Sequence, residues 1–262
     1  MSLHVDSFGS GAPLLLIHGW GMHGGMWGEA AAQLARNFRV HCVDLPGHGR
    51  SAGSGQWGVE RGEGALDGIV GMLSAQFSEP LTVCGWSLGG IIAQRWAALE
   101  PHKVRRLVLV ASTPCFVRRP GWECAMAEED LRQFAAALEQ DHAATLRRFL
   151  ALQLRGSANE RELLAELRER LFSRGEPGMA ALRAGLEILR DTDLRAVLPQ
   201  IGQPALVIAG GRDRLTPPQA SRHLAQAMPD ARLIEIEGAA HAPFLSHPDE
   251  FVKQVAVFIE ER

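Results

Sequence analysis

Ser87, Asp213 and His241 have the side-chain types that together break acyl bonds, and each stands in a setting that suits the role. A serine hydroxyl is a poor nucleophile at neutral pH. It needs an imidazole to take its proton and a carboxylate to hold that imidazole in one tautomer. Ser87 is the centre of Gly85-Trp86-Ser87-Leu88-Gly89, a Gly-x-Ser-x-Gly pattern in which glycines two residues before and after the serine admit a very tight turn. The pattern alone is short enough to arise by chance. Here the apolar run Leu81-Thr82-Val83-Cys84 precedes it and the helical stretch Ile91-Ile92-Ala93-Gln94-Arg95-Trp96 follows, which predicts a strand, a sharp turn and a helix. Leu88 N–H then lies at a helix start, where unpaired donors and the helix dipole favour a developing oxyanion.

Asp213 follows the apolar run Pro204 to Gly210, and His241 follows Arg232-Leu233-Ile234-Glu235-Ile236. Both are predicted to lie just past strand ends. His18, His247 and Asp193 are weaker competitors. His18 belongs to the loop expected to carry the second oxyanion donor, His247 is expected to cap the last helix, and Asp193 falls among helices. The cysteines Cys42, Cys84, Cys115 and Cys124 show no paired spacing. They read as reduced, inert thiols, the first three on buried strands or their ends. No metal and no cofactor is expected.

The elements that must position these groups alternate between strand and helix. Residues 3 to 8 suggest a short strand, and Pro13-Leu14-Leu15-Leu16-Ile17 is apolar throughout, as in a parallel strand covered on both faces. His18-Gly19-Trp20-Gly21 leaves its end, and ligands of open α/β sheets sit beyond such ends. Trp20 N–H is the expected second oxyanion donor and its indole a wall of the acyl pocket, with simple core packing as the alternative. A helix from about Met26 to Asn37 should lead to the strand Phe38 to Val43, then to Asp44-Leu45-Pro46-Gly47-His48-Gly49-Arg50-Ser51, where Asp44 and His48 are expected to hold a turn. A surface loop is expected over Ser51 to Glu63 and a helix from about Ala65 to Phe77. Val104 to Ala111 continues the sheet; helices over about Pro218 to Met228 and Pro248 to Glu260 flank its last strands.

The pattern changes between about Trp122 and Leu194, where no strand-like run occurs and apolar residues recur at helical spacing, as in Leu131, Phe134 and Leu138. This is the expected helical cap, residues 117–194, inserted into a core formed by 1–116 and 195–262. Every basic residue in it is arginine. Arg147, Arg148, Arg155 and Arg161 are either a solvated face with ordinary ion pairs or a surface for a phosphate-bearing or acidic partner, which arginine grips through two parallel hydrogen bonds. With 262 residues, 46% of them hydrophobic, and a net charge of −3, the chain can bury a large core and carries no field that would draw nucleic acid or a membrane. No apolar run reaches the roughly 20 residues of a membrane span, and the N-terminus lacks a signal-peptide profile. A cytoplasmic monomer is expected.

The order serine, aspartate, histidine, each after a strand, together with Leu16 to Gly21, Val43 to Gly47 and Gly85 to Gly90, resembles the α/β-hydrolase superfamily over the whole chain. More specific stretches are Arg148-Phe149-Leu150-Ala151-Leu152-Gln153, Gly185-Leu186-Glu187-Ile188-Leu189 with Asp193-Leu194-Arg195, and Ala239 to Phe244. With these the chain is similar to the pimeloyl-acyl carrier protein methyl ester esterases of biotin synthesis. The resemblance implies a mostly parallel sheet flanked by helices, an all-helical cap and a Ser87–Asp213–His241 triad. It also implies a substrate site shaped by Trp20, Ser87, Leu88, Phe149, Leu150, Ala151, Leu152, Gln153 and His241. The implied reaction removes the methyl group of a pimeloyl methyl ester on acyl carrier protein, with Arg148 and other cap arginines meeting the carrier. A general carboxylesterase, a lactonase or a carbon–carbon bond hydrolase would share the triad, and a hydrolase-fold receptor for small molecules could keep it too. A dehalogenase would need aspartate at Ser87.

Overall fold

The computed structural model describes residues 2–53, 62–157 and 159–261. Seven strands, β1 (Val5–Phe8), β2 (Ala12–Ile17), β3 (Phe38–Val43), β4 (Leu81–Trp86), β5 (Val104–Val110), β6 (Ala205–Gly210) and β7 (Ala231–Ile236), form one sheet in the order β1-β3-β2-β4-β5-β6-β7. β1 runs antiparallel to β3, and every other pairing is parallel. The apolar strands are apolar because both faces are covered. Leu15 and Ile17 of β2 pack into one hydrophobic cluster, while Leu14 and Leu16 pack into the other, on the opposite face. The first cluster includes the inner faces of α2 (Glu63–Gln76) and α3 (Leu88–Leu99), and the second those of α1 (Gly28–Leu34) and α10 (Pro248–Glu260).

Strand order reverses between β2 and β4, so their connections leave in opposite directions and open a crevice at the carboxyl edge. The His18–Trp20 loop follows β2, and Ser87 follows β4. Among the described residues between β5 and β6 the chain forms four α-helices, α4 (Glu128–Gln140), α5 (His142–Leu154), α6 (Glu160–Phe172) and α7 (Met179–Asp191), with isolated bridges such as Cys115 to Asp193 and Val117 to Met126 beside them and a 3-10 turn, Leu198–Gln200, after them. Acidic Glu128, Glu129 and Asp130 occupy the first turn of α4, where the helix dipole favours them, and the Asp141 carboxylate accepts from Ala144 N–H to cap α5. The remaining α-helices among the described residues are α8 (Pro218–Ala227) and the short α9 (Pro243–Ser246).

Two local expectations are corrected. The helix expected over Met26 to Asn37 is a 3-10 turn, Gly24–Trp27, followed by α1, because the chain bends at Gly28 with φ of 41°. His247 stands at the start of α10 but does not cap it with its side chain; its Nδ1 meets Ser246 Oγ at 2.9 Å. Most of the loop expected over Ser51 to Glu63 lies outside the described residues. Among the described residues no helix is long and apolar enough to cross a membrane, and no cluster of His, Cys, Asp and Glu is placed to hold a metal ion. Burial raises the Cys42 thiol to about 12 and pushes Cys84 up as well, which suits inert thiols.

The loop after β3 is held by its polar groups, as expected of Asp44 and His48. Asp44 is buried, accepts from Gly24 N–H at 2.6 Å and Arg50 N–H at 2.8 Å, and faces Arg174 at 3.1 Å. His48 donates from Nδ1 to Pro46 O at 2.8 Å, and burial pushes its pKa down from 6.5 to about 4. Below pH 6.5 the unfolded chain therefore binds a proton that the folded chain refuses. Stability from this group is whole above pH 6.5 and falls with pH, by about 3 kcal/mol at pH 4. Urea unfolding across this range should show the decline, with a shallower slope in His48→Asn; equal slopes would remove His48 as its source.

Candidate active site

Ser87 sits on the turn between β4 and α3 with φ of 56° and ψ of −116°, a conformation L-residues rarely hold. The fold over-determines it. Ser87 N–H donates to Val110 O at 2.9 Å, and Ser87 O accepts from Gly90 N–H and from Ser112 Oγ, each at 2.9 Å. A Cβ at Gly85 would collide with Gly89 O, and one at Gly89 with the Ile17 carbonyl, so the elbow closes only with glycine at both places. Ser112 was not singled out by any motif; only the parallel pairing of β4 with β5 brings it under the elbow.

His241 and Asp213 meet as the loops after β7 and β6 converge. Asp213 Oδ2 is 2.7 Å from His241 Nδ1, and both side chains are buried. The same carboxylate accepts from Leu215 N–H at 2.8 Å, Thr216 N–H at 3.0 Å and the Thr216 hydroxyl at 2.7 Å. An acceptor-only aspartate requires the proton of His241 on Nδ1, which leaves Nε2 free to accept. Nε2 is buried and has no hydrogen-bond partner among the described residues, and it shares one cavity with Ser87. The His241 backbone is pinned twice: Trp86 Nε1 donates to its carbonyl at 2.8 Å, and its N–H donates to Gln153 O at 2.9 Å.

The competitors are engaged elsewhere. His18 Nε2 accepts from Leu45 N–H at 3.0 Å and its Nδ1 donates to Gly19 O at 2.8 Å, so the neutral ring fixes the loop that carries Trp20. Burial, with the nearby His48, holds its pKa well below the usual range. Asp193 lies at 2.7 Å from Arg195, which keeps its carboxyl low. The loop approaches the elbow so closely that a Cβ on Gly19 would lie 3.3 Å from Ser87 Cβ. Neither Trp20 N–H nor Leu88 N–H forms a hydrogen bond among the described residues, so both are open to an oxyanion.

The cavity above Ser87 and His241 has a volume of about 190 Å³ and is almost wholly apolar. Trp20 forms part of its wall, with Nε1 held by Leu182 O of α7 at 2.8 Å and edge contacts to Phe134 at 5.4 Å and Phe149 at 5.0 Å. Of Phe149 to Gln153, only Phe149 and Leu152 line it. Helical spacing turns Leu150 into the core cluster on the other side; Gln153 is buried and holds His241 N–H through its backbone carbonyl, Ala151 is half-buried off the cavity, and Leu88 is buried in the core. Sequence reasoning missed Phe116, Met126, Leu131, Phe134, Leu186, Leu189 and Leu215 as lining, together with Asp130, an exposed acid. The apolar spacing of Leu186 and Leu189 on α7 was visible, but which face met the sheet was not; Phe116, Met126 and Leu215 lie outside helices and strands, where no periodicity marks them. Arg147, Arg148, Arg155 and Arg161 are all exposed, and none lies within ion-pair distance of a carboxylate among the described residues.

The family model for the alpha/beta hydrolase fold matches residues 12–248. Over 260 residues, 99% of each chain, the sequence is 44% identical to a pimeloyl-acyl carrier protein methyl ester esterase from Chromobacterium violaceum. The chain belongs to this esterase family. It is 43% identical to the esterase of the same name from Nitrosomonas europaea, over 96% of this chain and 97% of that one. An esterase from Exiguobacterium antarcticum shares the fold, with a TM-score of 0.87 over 99% of this chain and 96% of the other at 22% identity. Family membership makes the chain a carboxylic ester hydrolase.

Proposed function

We propose that the chain hydrolyses the methyl ester of pimeloyl-acyl carrier protein methyl ester to free pimeloyl-acyl carrier protein and methanol, with Ser87 as nucleophile, His241 as base and Asp213 as its orienter. The observation that carries the chemistry is the 2.7 Å contact of Asp213 with His241 Nδ1, which leaves a buried, open Nε2 in the cavity that holds Ser87. The substrate is carried by the names of relatives that match end to end.

Ser87 Oγ attacks the ester carbonyl as its proton passes to His241 Nε2. The Trp20 and Leu88 N–H groups receive the oxyanion, a contribution of about 3 kcal/mol per donor in such sites. The tetrahedral intermediate collapses, the carbon–oxygen bond to the methoxy group breaks, and His241 returns the proton so that methanol leaves. Water then gives its proton to His241 and attacks the acyl-serine; collapse restores Ser87 and releases the carboxylic acid. No group beyond the chain and water is needed. The apolar cavity holds the methylene chain, and the helices α4 to α7, the proposed cap over residues 117–194, exclude water above it. An enzyme whose pocket reads apolar shape also turns over simple short-chain esters. A monomer in the cytoplasm, where the carrier is found, completes the proposal.

Steady-state hydrolysis of the carrier-bound methyl ester beside p-nitrophenyl butyrate tests it. A large preference in kcat/KM for the carrier-bound ester is expected. Arg148→Glu should lower that value about 10-fold or more while small-ester turnover changes less than twofold, because a reversed charge at a docking surface repels an acidic carrier. Turnover of the small ester alone would leave a serine esterase with another substrate; equal losses on both would remove Arg148 from the docking surface.

A further inference from the structure

Two exposed residues line the catalytic cavity, Asp130 of α4 and Leu152 of α5, the latter 36% exposed. Arg148 and Arg155 stand four residues before and three after Leu152, so all three share one face of α5 and its C-terminal end. Leu215 lines the same cavity from the core, on the loop that follows β6. That loop carries two exposed arginines, Arg212 and Arg214, on either side of Asp213. Arg212 Nη1 donates to Gly156 O at 2.7 Å, next to Arg155, and so bridges the core loop to the turn between α5 and α6.

These four arginines lie on the two elements that supply Leu152 and Leu215 to the cavity lining, and none lies within ion-pair distance of a carboxylate among the described residues. Elsewhere on the inserted helices, Arg132, Arg183 and Arg190 are matched by Glu129, Glu139 and Asp191. The four arginines outnumber the acids placed beside them, Asp130 of the cavity lining and Glu160, whose carboxylate accepts from Gly156 N–H at 2.9 Å, so this side of the molecule carries a surplus of positive charge on a chain of net charge −3. Arg212 uses one N–H on Gly156 and retains the other donors of its planar fork for a partner.

We infer that the acyl carrier protein docks across the seam between α5 and the loop after β6, with Arg212 meeting acidic side chains of the carrier from the core side of the cavity. The inference rests on the proposed carrier-bound substrate and extends the docking surface beyond the inserted helices. Arg147 lies on another face of α5 and Arg161 on α6, farther from Leu152 in sequence and helix order; they take a smaller part.

The test compares wild type, Arg212→Gln, Arg212→Glu and Arg148→Glu on pimeloyl methyl ester carried by acyl carrier protein and on p-nitrophenyl butyrate. Arg212→Gln removes the charge and retains an amide that can donate to Gly156 O. It should lower kcat/KM on the carrier-bound ester three- to tenfold, through KM, with the small ester within twofold; Arg212→Glu should exceed tenfold. The fall of log kcat/KM with added salt should be shallower in both variants, which a merely structural role would not produce. If Arg148→Glu loses activity selectively on the carrier-bound ester and both Arg212 variants do not, the seam is overturned while the carrier reading stands. Equal loss on both esters in Arg212→Gln also overturns it. A wild type with no preference for the carrier-bound ester removes both readings.

Discussion

Ser87→Ala should lower kcat for ester hydrolysis by about 10⁵- to 10⁶-fold while the protein stays folded, because the change removes the proposed attacking oxygen and leaves the elbow intact. The hydrogen bonds that hold residue 87 in its unusual conformation all come from its backbone: N–H to Val110 O, and its carbonyl to Gly90 N–H and Ser112 Oγ. None is lost with the hydroxyl. Alanine costs no more than serine at positive φ, since both carry a Cβ. What remains is the rate supplied by the oxyanion donors and by binding, typically about 10³- to 10⁴-fold over water. Stopped turnover at an unchanged melting temperature is therefore the expected pair of results. Retention of more than a few per cent of the activity in Ser87→Ala would assign the nucleophile elsewhere.

Asp213→Asn should lower kcat by about 10⁴-fold with little change in KM, through the tautomer of His241 rather than through charge alone. The carboxylate faces His241 Nδ1, the Thr216 hydroxyl and two backbone N–H groups, so all of its near neighbours donate. An asparagine there would retain acceptance through Oδ1 from the Leu215 and Thr216 amides and turn its NH₂ toward His241. The imidazole would then accept at Nδ1 and carry its proton on Nε2, where it can no longer take one from Ser87. Asp193→Asn is the matched control: it breaks only the pair with Arg195 at 2.7 Å and should alter kcat less than about threefold. Comparable losses in the two variants would mean that Asp213 is not the orienting acid.

Much of this site was legible because its groups sit where a strand ends, and strands covered on both faces announce themselves. Leu14 to Ile17, Leu81 to Val83, Leu107 to Val110 and Ala205 to Ala209 are short runs with no room for amphipathic alternation, so their ends can be counted off and Ser87, Asp213 and the Trp20 loop fall just beyond them. The inserted helices were less legible. An apolar stripe at helical spacing reports that a face is buried and is silent on what buries it, so Phe149 and Leu152 could not be separated from Leu150 and Gln153 until the orientation of α5 was known.

By itself the sequence determined the strand and helix alternation, the glycine-bounded turn at Ser87 and the supply of an acid and a base after later strands, because each depends on local sterics or on the pattern of neighbours along the chain. Only the tertiary structure decided which acid reaches which base, and that His18 is spent on the Leu45 and Gly19 backbone while His241 retains an open Nε2. It also decided that Arg212, more than fifty residues from Gly156 along the chain, closes against its carbonyl. Such partnerships follow from the order of strands in the sheet and from which helix face turns inward, and long-range packing sets both.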